Sequence, residues 1–264
     1  MSESVLLSIT DGIATLTLNE PETRNALTQP VYDALERHLD TIETASDVRC
    51  VVIEGTGESF SAGGDIEGMS ERLTNDDPTD DAVSELARRT RDTIARVVAL
   101  PVPTVAKVDG SAVGAGANLA IACDIQLASE SASIGFVFRQ VGLSVDAGTS
   151  YLLPRIVGTN VAKELVFTGE ILDAERAAEL GLFNHVYDAE SFESEVEATV
   201  SRIANGPTVA LRHSKRLLQD GLEKSFDRAQ RDEATAQGIV FETADHEEGV
   251  EAFLTDRRPE FVGR

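Results

Sequence analysis

Cysteine, lysine and long apolar runs are all scarce in this sequence, and each shortage excludes something. The only cysteines in 264 residues are Cys50 and Cys123, each beside apolar neighbours. They read as reduced core side chains rather than a disulfide or a metal pair. No run of eighteen apolar residues occurs, and Met1-Ser2-Glu3-Ser4 carries no basic segment. Neither a membrane span nor a secretory signal is expected, and the expected location is the cytoplasm. The lysines are Lys107, Lys163, Lys215 and Lys224 alone, and 23 basic side chains stand against 46 acidic ones. At a formal charge of −23 no broad cationic surface can neutralise phosphates, so no nucleic-acid partner is expected.

The acidic excess has two readings: a face for a cationic partner, or a solvated, halophile-like surface that keeps the protein soluble where salt screens repulsion. Under either, an anionic ligand must depend on local donors. Nucleotide fingerprints are missing too. After Gly114-Ala115-Gly116 and Gly55-Thr56-Gly57 the required third glycine is replaced by Leu119 and Phe60, and no Gly-Lys-Ser/Thr occurs. Leu152 removes a nucleophile elbow around Ser150, and His38, His185, His213 and His246 show no ligand spacing. No metal and no redox cofactor are expected.

What is present alternates between strands and helices. Val5 to Ile9 and Ile13 to Leu18 flank Thr10-Asp11-Gly12 as a hairpin. A helix is predicted from about Pro30, with Val31, Leu35, Leu39 and Ile42 on one face. Cys50 to Ile53, Thr104 to Val108, Asp124 to Ala128 and Phe183 to Tyr187 read as strands. Residues 70–81 read as a mobile loop or frayed helix, followed by a helix over 82–99 that stops at Pro101. Helices near 190–204, 207–220, 222–240 and 245–254 form a last layer. The fold class is α/β. The expected division is a core over 1–200 and a C-terminal helical, oligomerisation region over 201–264.

Both glycine-rich stretches follow a strand and precede a helix. Such turns present unpaired N–H groups, and small residues let a ligand approach them. Two of them facing each other would make an oxyanion hole, each donor contributing about 3–4 kcal/mol to a transition state. Close packing of a tight turn explains either stretch alone equally well.

Four ordered segments carry a resemblance. They are Asn19 to Leu27, Ser59 to Ile66, Asp109 to Ala120 followed by Cys123-Asp124, and His246 to Leu254. Together they resemble the crotonase (enoyl-CoA hydratase/isomerase) superfamily over nearly the whole chain. The resemblance implies a spiral of β-β-α turns with a C-terminal helical layer, and trimers or hexamers. It implies an acyl-CoA substrate, with coenzyme A as part of that substrate and no separate cofactor. It makes the N–H groups of Gly64 and Ala115 the oxyanion donors. It places Ala62, Gly63, Gly64, Asp65 and Ile66 along the CoA site, and Arg24 and Ala26 beside it. A solvated surface arginine remains the alternative for Arg24.

Hydratases similar to this chain use two glutamates. Their positions here are Asn118 and Phe138, neither able to exchange a proton, and both are expected to line the substrate pocket with Phe136. Val141 to Arg155 resembles the corresponding segment of ring-1,2-epoxyphenylacetyl-CoA isomerases, which implies Asp146 as the catalytic base. The segment departs from that pattern at Val145 and Thr149. One carboxylate suffices for a 1,3-proton shift on an enoyl-CoA or ring-epoxide CoA thioester. Three readings stay open: such an isomerase, an enoyl-CoA hydratase of fatty-acid or aromatic-acid degradation, and a non-catalytic CoA-ester-binding member. Asp146 could instead cap a helix beginning near Ala147.

Overall fold

The computed structural model describes residues 3–74 and 79–264. A two-residue turn at Asp11-Gly12 joins β1 (Val5–Thr10) to β2 (Ile13–Leu18), antiparallel, and α1 (Gln29–Thr44) follows. Then come β3 (Cys50–Gly55), α2 (Ile66–Thr74) and α3 (Thr79–Arg89). The predicted loop over 70–81 is thus helical up to Thr74 and again from Thr79, and the rest of it lies outside the described residues. A π-type turn, Thr90–Ile94, carries α3 into α4 (Ala95–Ala99). Next are β4 (Thr104–Val108), β5 (Ser111–Val113), α5 (Ala115–Ala122), β6 (Ile125–Ser129) and β7 (Ser133–Gly135). After these come α6 (Thr149–Thr168), β8 (Ile171–Asp173), α7 (Ala174–Glu179) and β9 (His185–Tyr187). The chain finishes with α8 (Phe192–Ala204), α9 (Thr208–Gly221), α10 (Phe226–Val240) and α11 (Ala244–Leu254).

Two sheets result. The larger runs β1-β2-β3-β4-β6-β9, parallel from β2 onward. Successive residues of a strand face opposite sides, so Val51 and Ile53 enter the main core with Val31, Leu35 and Leu39 of α1. Cys50 and Val52 instead pack beneath Phe192, Val196 and Val200 of α8. Burial on both faces explains the unbroken apolar run of β3. Burial also pushes the Cys50 thiol up to about 12, which keeps it protonated.

The smaller sheet is β5-β7-β8. Parallel bridges from Ser61 to Ala112 and from Leu27 to Gly64 continue its pattern toward the start of the chain. Each turn of the chain therefore adds one long strand to the first sheet and one short extended piece to the second. This is the β-β-α spiral. The C-terminal helices are tied to it by Lys215, which pairs with Asp124 at 2.8 Å, and by Arg49, which donates to Gly206 O at 2.6 Å and Thr208 Oγ1 at 2.8 Å. No helix among the described residues is long and apolar enough to cross a membrane.

Candidate active site

The site grows from one buried asparagine. Asn25 takes the Glu20 N–H on Oδ1 at 2.9 Å and donates from Nδ2 to the carbonyls of Thr56 and Ser59, both at 2.8 Å. Ser61 Oγ donates to the Asn25 carbonyl at 2.7 Å, and the Ala62 N–H donates to the Arg24 carbonyl at 2.8 Å. The loop after β3 is pinned in this way against the segment before α1.

Two glycines then let two turns touch. Gly63 sits at φ +82°, and a Cβ there would strike the Val113 carbonyl and come within 3.1 Å of Ala115 N. Gly114 precedes α5 at φ 56°, ψ −124°, a conformation open in practice to glycine alone. The first turn of α5 leaves N–H groups without intrahelical acceptors, and the helix dipole makes that end positive. Gly64 and Ala115 line one cavity of about 300 Å³.

Asp146 lines the same cavity. Its carboxylate accepts no hydrogen bond among the described residues, and burial alone raises its pKa above the usual carboxylate value. The alternative role, a helix cap, does not form. The helix α6 begins at Thr149, its N-cap is Gly148, and no side chain caps it. The Asp146 main-chain carbonyl instead accepts from Thr149 N at 2.9 Å and Thr149 Oγ1 at 2.8 Å. Ala147 follows at φ 48°, a left-handed conformation unfavourable for a residue with a Cβ.

Ala62, Asp65, Ile66 and Phe138 also face the cavity. Asp65 spends Oδ1 on the Gly68 N–H at 3.0 Å, capping α2. Three expectations need correcting. Phe136 is 1% exposed and packs in the main core, so Phe138, two residues on, is the phenylalanine at the cavity. Asn118 is fully buried, and its Nδ2 donates to Thr149 Oγ1 at 2.8 Å and to the Asp146 carbonyl at 3.3 Å. It therefore holds the acid's backbone and does not line the cavity. Gly63 is likewise buried, beneath the lining. Arg24 and Ala26 stand outside the lining; Arg24 is exposed and makes no ion pair among the described residues.

Tyr32, Met69, Leu86 and Arg89 also line the walls, and the sequence alone does not mark them. They belong to α1, α2 and α3, whose packing over the turns has no signature in residue spacing.

The profile of the enoyl-CoA hydratase/isomerase family matches residues 8–264. The chain belongs to that family. This enoyl-CoA hydratase/isomerase family enzyme is 36% identical to the putative enoyl-CoA hydratase/isomerase YngF of Bacillus subtilis (strain 168), over 100% of both chains. It is 33% identical to the 1,2-epoxyphenylacetyl-CoA isomerase of Escherichia coli (strain K12), again over 100% of both. The crystal structure of a putative enoyl-CoA hydratase/isomerase from Mycobacterium abscessus superposes with a TM-score of 0.93 at 32% identity, covering 98% of this chain and 100% of that one. The crotonase fold of the family is thereby shared over 98% of the chain.

Proposed function

We propose that this enzyme is an isomerase of enoyl-CoA or ring-epoxide CoA thioesters that moves a proton along the acyl chain with one carboxylate. The observation that carries the reading is the cavity shared by Gly64, Ala115 and the unengaged carboxylate of Asp146. The thioester oxygen sits between the Gly64 and Ala115 N–H groups, which hold the negative charge as it develops. Asp146 takes a proton from the acyl chain, giving a dienolate, and returns it two carbons away. Its raised pKa makes it a stronger base than an exposed aspartate, and the same carboxyl is then the acid that completes the shift.

Similarity to the epoxyphenylacetyl-CoA isomerase supports the ring-epoxide arm of this reading. The side chains at 118 and 138 argue against a two-carboxylate hydratase, since an amide and a phenyl ring exchange no proton near neutral pH. Arg24 supplies an unengaged cation for the CoA phosphates at the edge of the site. The exposed apolar side chains Leu218, Leu222, Phe226, Phe253 and Leu254 support assembly of trimers or hexamers through the C-terminal helices.

The test uses a 3-enoyl-CoA in deuterium oxide. Conjugated thioester absorbance should appear, with deuterium entering the acyl chain to the extent that the Asp146 proton exchanges with solvent before its return, and Asp146→Asn should stop the isomerisation. Hydration of crotonyl-CoA without isomerisation of the 3-enoyl ester would replace this reading with the hydratase.

A further inference from the structure

Tyr32 lines the cavity, and its hydroxyl has no part in the proposed proton shift. Most of the wall is hydrocarbon, from Leu27, Met69, Leu86, Phe138 and Leu143. Among its polar members, Asp65 caps α2 and the Gln140 amide is turned to Gly169 O at 3.4 Å. Arg89 is engaged as well, donating to Gln29 Oε1 at 3.1 and 2.8 Å and pairing with Glu85 at 2.7 Å. Its guanidinium lies 5.3 Å from the centroid of the Tyr32 ring and fixes that ring from one side. The Tyr32 hydroxyl itself donates no hydrogen bond among the described residues.

We infer that Tyr32 determines specificity by donating a hydrogen bond to an oxygen carried on the acyl group, so that the cavity favours oxygen-substituted acyl-CoA thioesters over plain hydrocarbon ones. The inference rests on the acyl-CoA reading of this cavity and names the class of substrate. The reason is the asymmetry of hydrogen bonding. An acyl group that fills the cavity expels the water that otherwise serves the hydroxyl. A hydrocarbon tail leaves the donor unpaired, whereas a hydroxyl, epoxide or carbonyl oxygen restores its partner. Burial pushes the phenol up to about 12, with Arg89 opposing and Asp146 adding to the rise, so it remains a donor throughout the working pH range.

Equilibrium binding separates this inference from the proton-shift mechanism. Calorimetry would compare saturated acyl-CoA thioesters of one length, unsubstituted or hydroxylated at successive carbons. The wild type should bind at least one hydroxylated member about five- to tenfold more tightly than the hydrocarbon. Tyr32→Phe, which keeps the ring under Arg89, should bring the ratio close to one, and Tyr32→Met provides a second variant without the hydroxyl. Asp146→Asn should keep the preference. A wild type that never prefers the oxygenated member overturns the inference, as does a preference that survives both Tyr32 substitutions. A shifted acid limb in the pH–rate profile of Tyr32→Phe, with the ratio unchanged, would assign the hydroxyl to Asp146 and overturn it too. If no acyl-CoA binds at all, both readings fall; if binding is selective but no isomerisation occurs, only the mechanism falls.

Discussion

The side-chain amide of Asn118 donates to the main-chain carbonyl of Asp146 at 3.3 Å and to Thr149 Oγ1 at 2.8 Å. An amide in α5 thereby fixes the backbone that presents a carboxylate to the cavity 28 positions later in the chain. Thr149, where the sequence departs from its isomerase-like pattern, is the other half of this clamp. Asn118→Ala should leave the buried Thr149 hydroxyl with fewer partners and destabilise the fold by about 1–3 kcal/mol. Urea unfolding measures that cost. The same variant should lose turnover more than acyl-CoA binding, because the acid is displaced while the oxyanion donors remain.

On the proposed mechanism, Asp146 couples activity to stability with opposite signs. As a base it works only when ionised, so the rate should fall as pH drops through a pKa lying above that of an ordinary aspartate. Asp146→Asn should lower turnover by about 10²–10⁴-fold.

The stability sign follows from linkage. Burial favours the neutral acid, so the folded state binds more protons than the unfolded state between the two pKa values, and stability declines as pH rises through that window. Replacing the acid with asparagine should therefore raise the melting temperature at neutral pH. The gain should shrink as the pH falls and the wild-type acid becomes protonated. Calorimetric scans across pH 3–8 would show this, and an unchanged or lowered melting point at neutral pH would contradict it.

Gly63 carries the contact between the two donor turns. Gly63→Ala must accommodate a Cβ against the Val113 carbonyl at a φ of +82°. Either the turns separate or the backbone strains, at a cost of about 1–3 kcal/mol. Turnover should drop in proportion to lost oxyanion stabilisation, about 10²–10³-fold for one misplaced donor. A kinetic comparison with Gly181→Ala, another positive-φ glycine with nothing near its Cβ, separates collision from conformational strain.

The charge of −23 should make stability depend on salt. Potassium chloride between about 0.1 and 1 M shortens the Debye length from about 10 to 3 Å and relieves self-repulsion. The melting temperature should rise over that range.

The C-terminal helices should hold the assembly together. Phe226 and Leu222 are 82% and 72% exposed in the single chain. Light scattering on the wild type should give a trimer or a multiple of it. Phe226→Asp with Leu222→Asp should lower the mass, since two charges placed in a buried apolar contact are costly.

The long elements were legible because their residues obey a period. Val31, Leu35, Leu39 and Ile42 announced the buried face of α1, and Cys50 to Ile53 announced a strand covered on both sides. The smaller sheet was not legible. The strands β5, β7 and β8 have three residues each, too few for alternation to register. The two glycine turns were visible as motifs, and the resemblance paired them. Phe136 was assigned to the pocket wrongly because Phe136 and Phe138 look alike in sequence, and only the short helical turn at Val137–Val141 sends them to different places.

Residue identity by itself determined the α/β class, the family kinship, the acidic excess and the missing carboxylates at 118 and 138. These depend on side-chain chemistry and local order along the chain. Tertiary structure alone decided that the Asp146 carboxylate accepts no hydrogen bond among the described residues while Asp65 Oδ1 caps α2, that Asn118 clamps a backbone, and that Tyr32 and Arg89 reach the same cavity. Those outcomes depend on which helix lies over which turn, and that is set by the packing of residues far apart in sequence.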